Sequence, residues 1–453
     1  MSTMRRPPLL LPLALASWAC AVPNPAYEAC QANPAACAPL ERCDGEDQDL
    51  DGQVDEGLDA PCAVALPGYF KGDVGFGRAL AAVPDLDGDG FEEVLVSSAP
   101  APAALNGEGA QAGAVFLLRS QSSEQRWAQS RPNAFGAQLA AVDLNGDGAV
   151  ELVASMPLGD DESAAGLFVL SVGGELVSRV RAEDPSGRAG FGRALGVGRA
   201  PTGEVALLTS EPSWEPPDGS APGAGRVLGF TFAQDLTPQL AFSYAGQAGQ
   251  RLGERLVGVP DVDGDGVEDI MTTAWAQRAG GAGGAGGEGG EERQVWVLSS
   301  ATGRGLRRFS APEQTFGTLG DALAVAPLGG AGEGGGGAAL VFSAPRALSP
   351  EGEERGRLFV LTPDGESLGG AARPDEFGGS LLPLRAGGRD LLAVGARGRI
   401  YLLNDRLELA ASLALDGDEV PTLAAAGRPD PDGRTRLWVG LPALGRLYTL
   451  EVR

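Results

Sequence analysis

One short pattern recurs seven times along this chain, and it limits the fold more than any other feature. It is an apolar run, usually led by glycine: "GAVFLL" (113–118), "GLFVL" (166–170), "GRVLGF" (225–230), "QVWVL" (294–298), "GRLFVL" (356–361), "GRIYLL" (398–403) and "GRLYTL" (445–450). Six units open with Phe-Gly or a near match: Phe76-Gly77, Phe135-Gly136, Phe191-Gly192, Leu252-Gly253, Phe316-Gly317 and Phe377-Gly378. The seventh has lost that dipeptide. Two more short apolar runs lie between the opening and the recurring run, and a proline often follows the second of them (Pro100, Pro157, Pro212, Pro345, Pro442). The runs are too short for helices and lack a 3.6-residue period, so they read as β-strands. A chain of 453 residues exceeds what one compact core normally holds. An array in which each unit packs only on its neighbours removes that ceiling.

In three units the turn between the first two runs carries acids at alternate positions. "DLDGDGFEE" (85–93) sets Asp85, Asp87, Asp89, Gly90 and Glu93 at positions 1, 3, 5, 6 and 9. "DLNGDGAVE" (143–151) sets Asp143, Asn145, Asp147, Gly148 and Glu151 there, and "DVDGDGVED" (261–269) sets Asp261, Asp263, Asp265, Gly266 and Asp269. Alternate side chains of a tight loop converge. The backbone carbonyl of position 7 (Phe91, Ala149, Val267) can join them, and glycine at position 6 permits the sharp turn. All-oxygen donors suit a hard cation, so calcium is the expected cofactor. An EF-hand also needs a bidentate Glu at position 12 and flanking helices. Position 12 is Val96, Ala154 and Thr272, and the flanks are β-rich. An acidic hairpin without metal is the plain alternative for one copy; three copies in one register favour metal. The seventh unit keeps "PDPDG" (429–433), but Arg428 and Arg436 stand where the first and last acids belong. Those guanidinium groups are expected to neutralise Asp430 and Asp432 without calcium.

Together, the Phe-Gly opening, the acidic loop and the trailing proline resemble the FG-GAP repeats of the integrin α-subunit head. The resemblance covers about residues 71–453 and implies an all-β, seven-bladed β-propeller. It also implies calcium loops on one face and partner binding on the other. The integrin metal loops lie in later blades, whereas here they fall in units one, two and four, so the receptor function does not carry over.

Each third strand of the first six units has a candidate outer strand after it, from "EQRWAQS" (124–130) to "RLELAASLAL" (406–415). The seventh does not. The spare segment is "AVALPGYF" (63–70), which is expected to pair with "RLYTLEV" (446–452) so that both ends fasten one blade. Metal loops join first to second strands. The loops joining second to third strands therefore lie on the opposite face, where Trp214, Trp275, Asp160 and Asp161 are expected to border a partner site; merely solvated loops are the alternative.

Arg5 and Arg6 precede the apolar run "LLLPLALASWA", which ends at Cys20. This reads as an export signal over 1–19, too short to span a membrane. Lipidation of Cys20 would leave Cys30, Cys37, Cys43 and Cys62, enough for two disulfides. A plain secretory signal is the alternative. Residues 20–62 read as a tether with a short disulfide-containing calcium-binding segment: Asp47, Asp49, Asp51, Gln53 and Asp55 repeat the loop spacing and offer a fourth metal site, with a solvated acidic linker as the alternative. The propeller occupies 63–453. The expected location is the outer membrane or cell surface through a lipid anchor, and otherwise the medium.

Composition narrows the function. Sixty acids against 35 bases give a net charge of −25, which disfavours nucleic acid and anionic lipid surfaces. Without histidine there is no imidazole base, His-based triad or ordinary zinc site. The expected protein is a monomer and not an enzyme, and it binds a protein or polysaccharide in adhesion or envelope contact. A calcium-dependent polysaccharide lyase or hydrolase, and a purely structural envelope component, are the alternatives.

Overall fold

The computed structural model describes residues 63–99, 112–119, 125–131, 134–157, 165–184, 189–277, 291–310, 318–328, 337–348, 352–431 and 433–452. The chain divides into units Met1–Leu58 and Asp59–Arg453, and all described residues belong to the second. The expectations for the export signal, Cys20, Cys30, Cys37, Cys43, Cys62 and the Asp47–Asp55 motif therefore lie outside the described residues.

Seven antiparallel sheets form a seven-bladed β-propeller, without helix among the described residues. Blade one runs outward through Phe76–Val83, Glu93–Ser98, Gly113–Leu118 and Gln125–Arg131. Blades two, three, four and six repeat this order from inner strands Leu139–Val142, Leu195–Arg199, Leu256–Val259 and Ser380–Ala386. Blade five differs only in an outer edge split into Ser367–Gly369 and Ala372–Arg373. Second strands are covered on both faces, so Glu151–Met156, Ala339–Ala344 and Thr435–Leu441 are buried throughout. Such strands read as continuous apolar runs, which is how the sequence shows them.

Blade seven takes its outer strand from the other end of the described chain. Ala63–Lys71 pairs antiparallel with Arg446–Val452, from Ala63 opposite Val452 to Lys71 opposite Arg446, with one irregularity between Ala65 and Tyr69. The expected pairing is observed. Its inner side continues through Thr435–Leu441 to Thr422–Ala425.

The hydrophobic core lies between blades. Leu95, Val115 and Leu117 of blade one pack with Phe135, Leu152 and Phe168 of blade two. Phe76, Val94 and Val96 of blade one pack with Trp438 and Leu447 of blade seven and close the ring. The Phe-Gly pair is the plug of this seam. Phe135, Phe191 and Phe377 are buried. Each following glycine has a left-handed φ, and its N–H donates to the second strand: Gly136 to Ser155 O (2.9 Å), Gly192 to Ser210 O (3.1 Å), Gly253 to Thr273 O (2.9 Å). The hydroxyl of that same serine or threonine accepts from the strand start, as Ser155 Oγ does from Gln138 N (3.0 Å). A Cβ on the glycine opening a third strand would strike the next plug: Gly113 against Phe135 O, and Gly356 against Phe377 O, both at 2.0 Å. This explains the glycine-led pattern.

Blade five corrects the sequence reading. Phe316-Gly317 lies outside the described residues, and Leu319-Gly320 fills the plug position. Leu319 is buried, and Gly320 has φ 75° and donates to Ser343 O at 2.7 Å. The spacing carried this information, because a leucine follows each plug by four residues (Leu80, Leu139, Leu195, Leu256, Leu323, Leu381).

Candidate functional site

The three acidic loops join first to second strands in blades one, two and four, on one face of the ring. They share one backbone conformation. Their paired glycines have φ values of 76° and 88° (Gly88, Gly90), 75° and 88° (Gly146, Gly148) and 80° and 87° (Gly264, Gly266). The first aspartate organises each turn. Asp85, Asp143 and Asp261 accept at Oδ1 from Gly88, Gly146 and Gly264, each at 2.7 Å. At Oδ2 they accept from Gly90, Gly148 and Gly266 at 2.9, 2.8 and 2.7 Å. The position-5 acids accept from position 7: Phe91 N to Asp89 Oδ1 (2.9 Å), Ala149 N to Asp147 Oδ1 (2.8 Å), Val267 N to Asp265 Oδ1 (2.9 Å). In blade two, Asn145 also bonds Gln234 O at 3.1 Å.

The closing acid sits differently. Glu93, Glu151 and Asp269 begin the second strands and are 1%, 5% and 0% exposed. Each reaches back to the second loop residue, at Leu86 N (2.9 Å), Leu144 N (2.9 Å) and Val262 N (2.8 Å). Burial pushes all three carboxyls above the usual range, Asp269 to about 6, with neighbouring loop aspartates adding to the push. The opposite holds at the exposed ends. Backbone donors, Gly90 and Gly266 foremost, hold Asp85 and Asp261 below the usual range, and Ala149 N does so for Asp147. Each loop thus aims fixed anions at a buried carboxyl that resists ionising beside them. A divalent cation relieves that conflict.

The donor set fits calcium. Oxygens of Asp85, Asp87 and Glu93, and of Asp261, Asp263 and Asp265, lie within 4.8 Å of one another. Ligands on opposite sides of one calcium, each at about 2.3–2.6 Å, are separated by no more than about twice that distance. The loops are not equivalent, however. Arg126, on the outer strand of blade one, places Nη2 2.7 Å from Glu93 Oε1 and also contacts Asp87. Arg119 Nη2 lies 3.1 Å from Asp87 Oδ2. Among the described residues no arginine pairs with the loop acids of blades two and four. The sequence reading missed both arginines, because they come from the third-to-outer turn and the outer strand.

Blade seven keeps the register without the acids. Ala426 N donates to Arg436 O at 2.9 Å, the level at which Val83 pairs with Glu93 in blade one. Arg436 Nε lies 3.9 Å from Asp430 Oδ2, and its guanidinium stacks on Phe91 at 4.2 Å. Asp432 lies outside the described residues. The other turns have lost the ligands: blade three closes through Gly203 N to Ala200 O (2.8 Å), and blade six through Gly387 and Gly388 alone, both with positive φ.

Of the four residues expected at a partner site, Asp160 and Asp161 lie outside the described residues. Trp214 and Trp275 sit on adjacent blades, on the face opposite the acidic loops. Trp214 is half-buried in its loop under the Arg226 guanidinium (4.7 Å), which itself pairs with Glu211 and Glu183. Trp275 lies on a strand rather than in a loop, because Asp269–Gln277 continues to pair with Glu291–Leu298 beyond it. Its Nε1 donates to Glu254 Oε1 at 3.2 Å.

Residues 76–118 match the FG-GAP repeat family. No curated protein sequence matches. Among solved structures, the chain is similar to Saccharomyces cerevisiae Sqt1 at 12% identity and a TM-score of 0.46, covering 85% of this chain and 98% of that one. It is also similar to BBS1N in complex with ARL6DN, at 10% identity and a TM-score of 0.48, covering 85% and 97%.

Proposed function

We propose that this protein is a calcium-stabilised propeller, exported and held at the cell surface through lipidated Cys20, that binds a macromolecular partner with the face opposite its metal loops. The observation that carries this reading is the threefold repetition of one loop geometry on one face, each loop with a buried closing acid. Cations there rigidify that side. The opposite face carries the longer loops and the half-buried Trp214 and Trp275, each beneath or beside an arginine. Aromatic and arginine side chains held in place by their neighbours are the usual anchors of an interface. A protein partner fits this face better than a cleft-bound substrate, because the acids at metal spacing are committed to the loops and histidine is absent.

The test is binding of purified chain to envelope extract, with calcium or chelator, followed by affinity measurement on the recovered partner. Saturable, calcium-dependent binding that weakens at least about tenfold when Trp214, Trp275, Asp160 and Asp161 are replaced together supports the proposal. Binding that survives the fourfold replacement removes it.

A further inference from the structure

The blade-two loop departs from the other two at position 3, where Asn145 replaces the aspartates Asp87 and Asp263. Its side chain is placed as theirs are. Asn145 Oδ1 accepts from Asp147 N at 3.1 Å, as Asp87 Oδ1 does from Asp89 N and Asp263 Oδ1 from Asp265 N, both at 3.3 Å. The oxygen offered to calcium is therefore kept. What the amide adds is a donor on its other side. Asn145 Nδ2 lies 3.0 Å from Asp147 Oδ2 and 3.1 Å from Gln234 O. Only this orientation of the amide sets N–H groups against both acceptors. A carboxylate at this position would turn an acceptor towards the Gln234 carbonyl instead.

Gln234 belongs to blade three, in the turn between its third strand, Arg226–Phe232, and its outer strand, Pro238–Ala245. It returns the contact, with Nε2 donating to Asn145 O at 2.7 Å. The turn closes on itself through Ala233 N to Thr237 O (3.0 Å), Leu236 N to Ala233 O (2.8 Å) and Thr237 N to Asp235 Oδ1 (3.0 Å), with Leu236 at φ 60°. A left-handed leucine costs conformational energy, so the surroundings must hold this turn in place. Blade two holds it at two points. One is Gln234, from the acidic loop. The other is Leu236 O, which accepts from Ser178 Oγ (2.5 Å) on the outer strand Leu176–Arg181. The first-to-second turn of blade three has no acids at loop spacing, so any cation that steadies this blade from the loop face sits in its neighbour.

We propose that Asn145 couples the blade-two cation site to the blade-three turn 233–237. Its Oδ1 serves the site while its Nδ2 and backbone carbonyl bind Gln234, so a cation that fixes this side chain also fixes the turn. The coupling is reciprocal: whatever holds the turn tightens the site by the same factor. The inference rests on the calcium reading above and extends it to a blade without an acidic loop. Its distinguishing consequence is that an aspartate at 145 keeps an oxygen for the ion and loses the coupling.

The experiment combines calcium titration, to count sites, with hydrogen exchange read by mass spectrometry over 233–237, for the unaltered chain, N145D and Q234A. In the unaltered chain calcium should slow exchange of the Ala233, Leu236 and Thr237 amides about three- to tenfold, the worth of one hydrogen bond. N145D should bind as many calcium ions as the unaltered chain, but the slowing should vanish. Q234A leaves the loop sequence intact and should weaken one calcium site about threefold, which decides the matter if N145D fails to fold. The blade-four turn 299–304 is the internal control. There Ser300 N donates to Asp269 Oδ1 at 3.2 Å, and its response to calcium should be the same in all three chains. An unaltered chain that binds no calcium would overturn the calcium reading and this inference with it. Bound calcium with unchanged exchange over 233–237, slowing that persists in N145D, or undiminished affinity at every site in Q234A would overturn the coupling alone.

Discussion

Asp269 offers the most direct physical test of the metal loops. It is fully buried, accepts from Val262 N at 2.8 Å and Ser300 N at 3.2 Å, and burial pushes its carboxyl from 3.8 to about 6. In the metal-free chain the folded state therefore keeps this proton to higher pH than the unfolded state does. Its contribution to stability falls as pH rises between about 4 and 6. A shift of roughly two units has a ceiling of about 3 kcal/mol, and solvent at the loop screens it to about half. Glu93 and Glu151 shift in the same direction. Asp85, Asp147 and Asp261 shift down, so their contributions are complete above pH ~4 and stay flat across this window. Calcium favours the ionised carboxyl and should abolish or reverse the slope. The assay is urea unfolding at pH 5 and pH 7, metal-stripped and calcium-loaded, for wild type and D269N. The metal-stripped wild type should lose stability from pH 5 to pH 7, and D269N should lose about 1 kcal/mol less. An identical pH dependence in D269N, or the same slope with and without calcium, would refute the reasoning.

The two arginines that pair with acids of the blade-one loop predict unequal sites. R126Q should tighten the weakest of the three calcium sites in a titration while leaving the other two alone, and three equal sites in the wild type would contradict this. D263A should remove one bound calcium, whereas D430A should remove none and should instead lower the unfolding midpoint, because it removes the carboxylate 3.9 Å from the buried Arg436. A chain beginning at Gly72 loses the six pairings from Ala63–Val452 to Lys71–Arg446. It should lose roughly 3 kcal/mol or more and aggregate through the bared edge; an unchanged midpoint would show that the strand is dispensable.

What the sequence revealed, and what it hid, depends on whether a feature is local. The loops were legible because all their ligands lie within nine consecutive residues, and the observed φ values repeat as closely as the motif does. The outer strand of blade seven was legible because a strand count left one edge bare and one apolar segment unused. Leu319-Gly320 was hidden by the better dipeptide match three residues earlier, and only spacing to Leu323 separates them. Trp275 was read as a loop residue because "TTAWAQ" grades into a glycine tract, while strand pairing carries on to Gln277. Arg126 could not be read at all, since it reaches the loop from the outer strand of the same blade, far along the chain from Asp87 and Glu93.

The seam between the first and last blades shows why these separate devices belong together. A ring of repeats is weakest where the chain ends meet. Here Thr422 Oγ1 donates to Gly77 O across the seam, and Ala63–Lys71 covers the open edge. On the metal face, Gly427 N donates to Glu92 Oε2 at 2.8 Å, and Arg436 stacks on Phe91. Between these two contacts lies a cavity of about 370 Å³ that Arg428 also lines. Phe91 and Glu92 are the last loop residues before closing Glu93, and the carbonyl of Phe91 is a proposed calcium ligand. A cation in the blade-one loop would thus fix the backbone that presents both contacts to blade seven. The arginines that replace acids in blade seven follow from the same geometry. A fourth cluster of carboxylates beside blade one would have set two anionic loops against each other across the seam, whereas guanidinium groups there turn that repulsion into attraction.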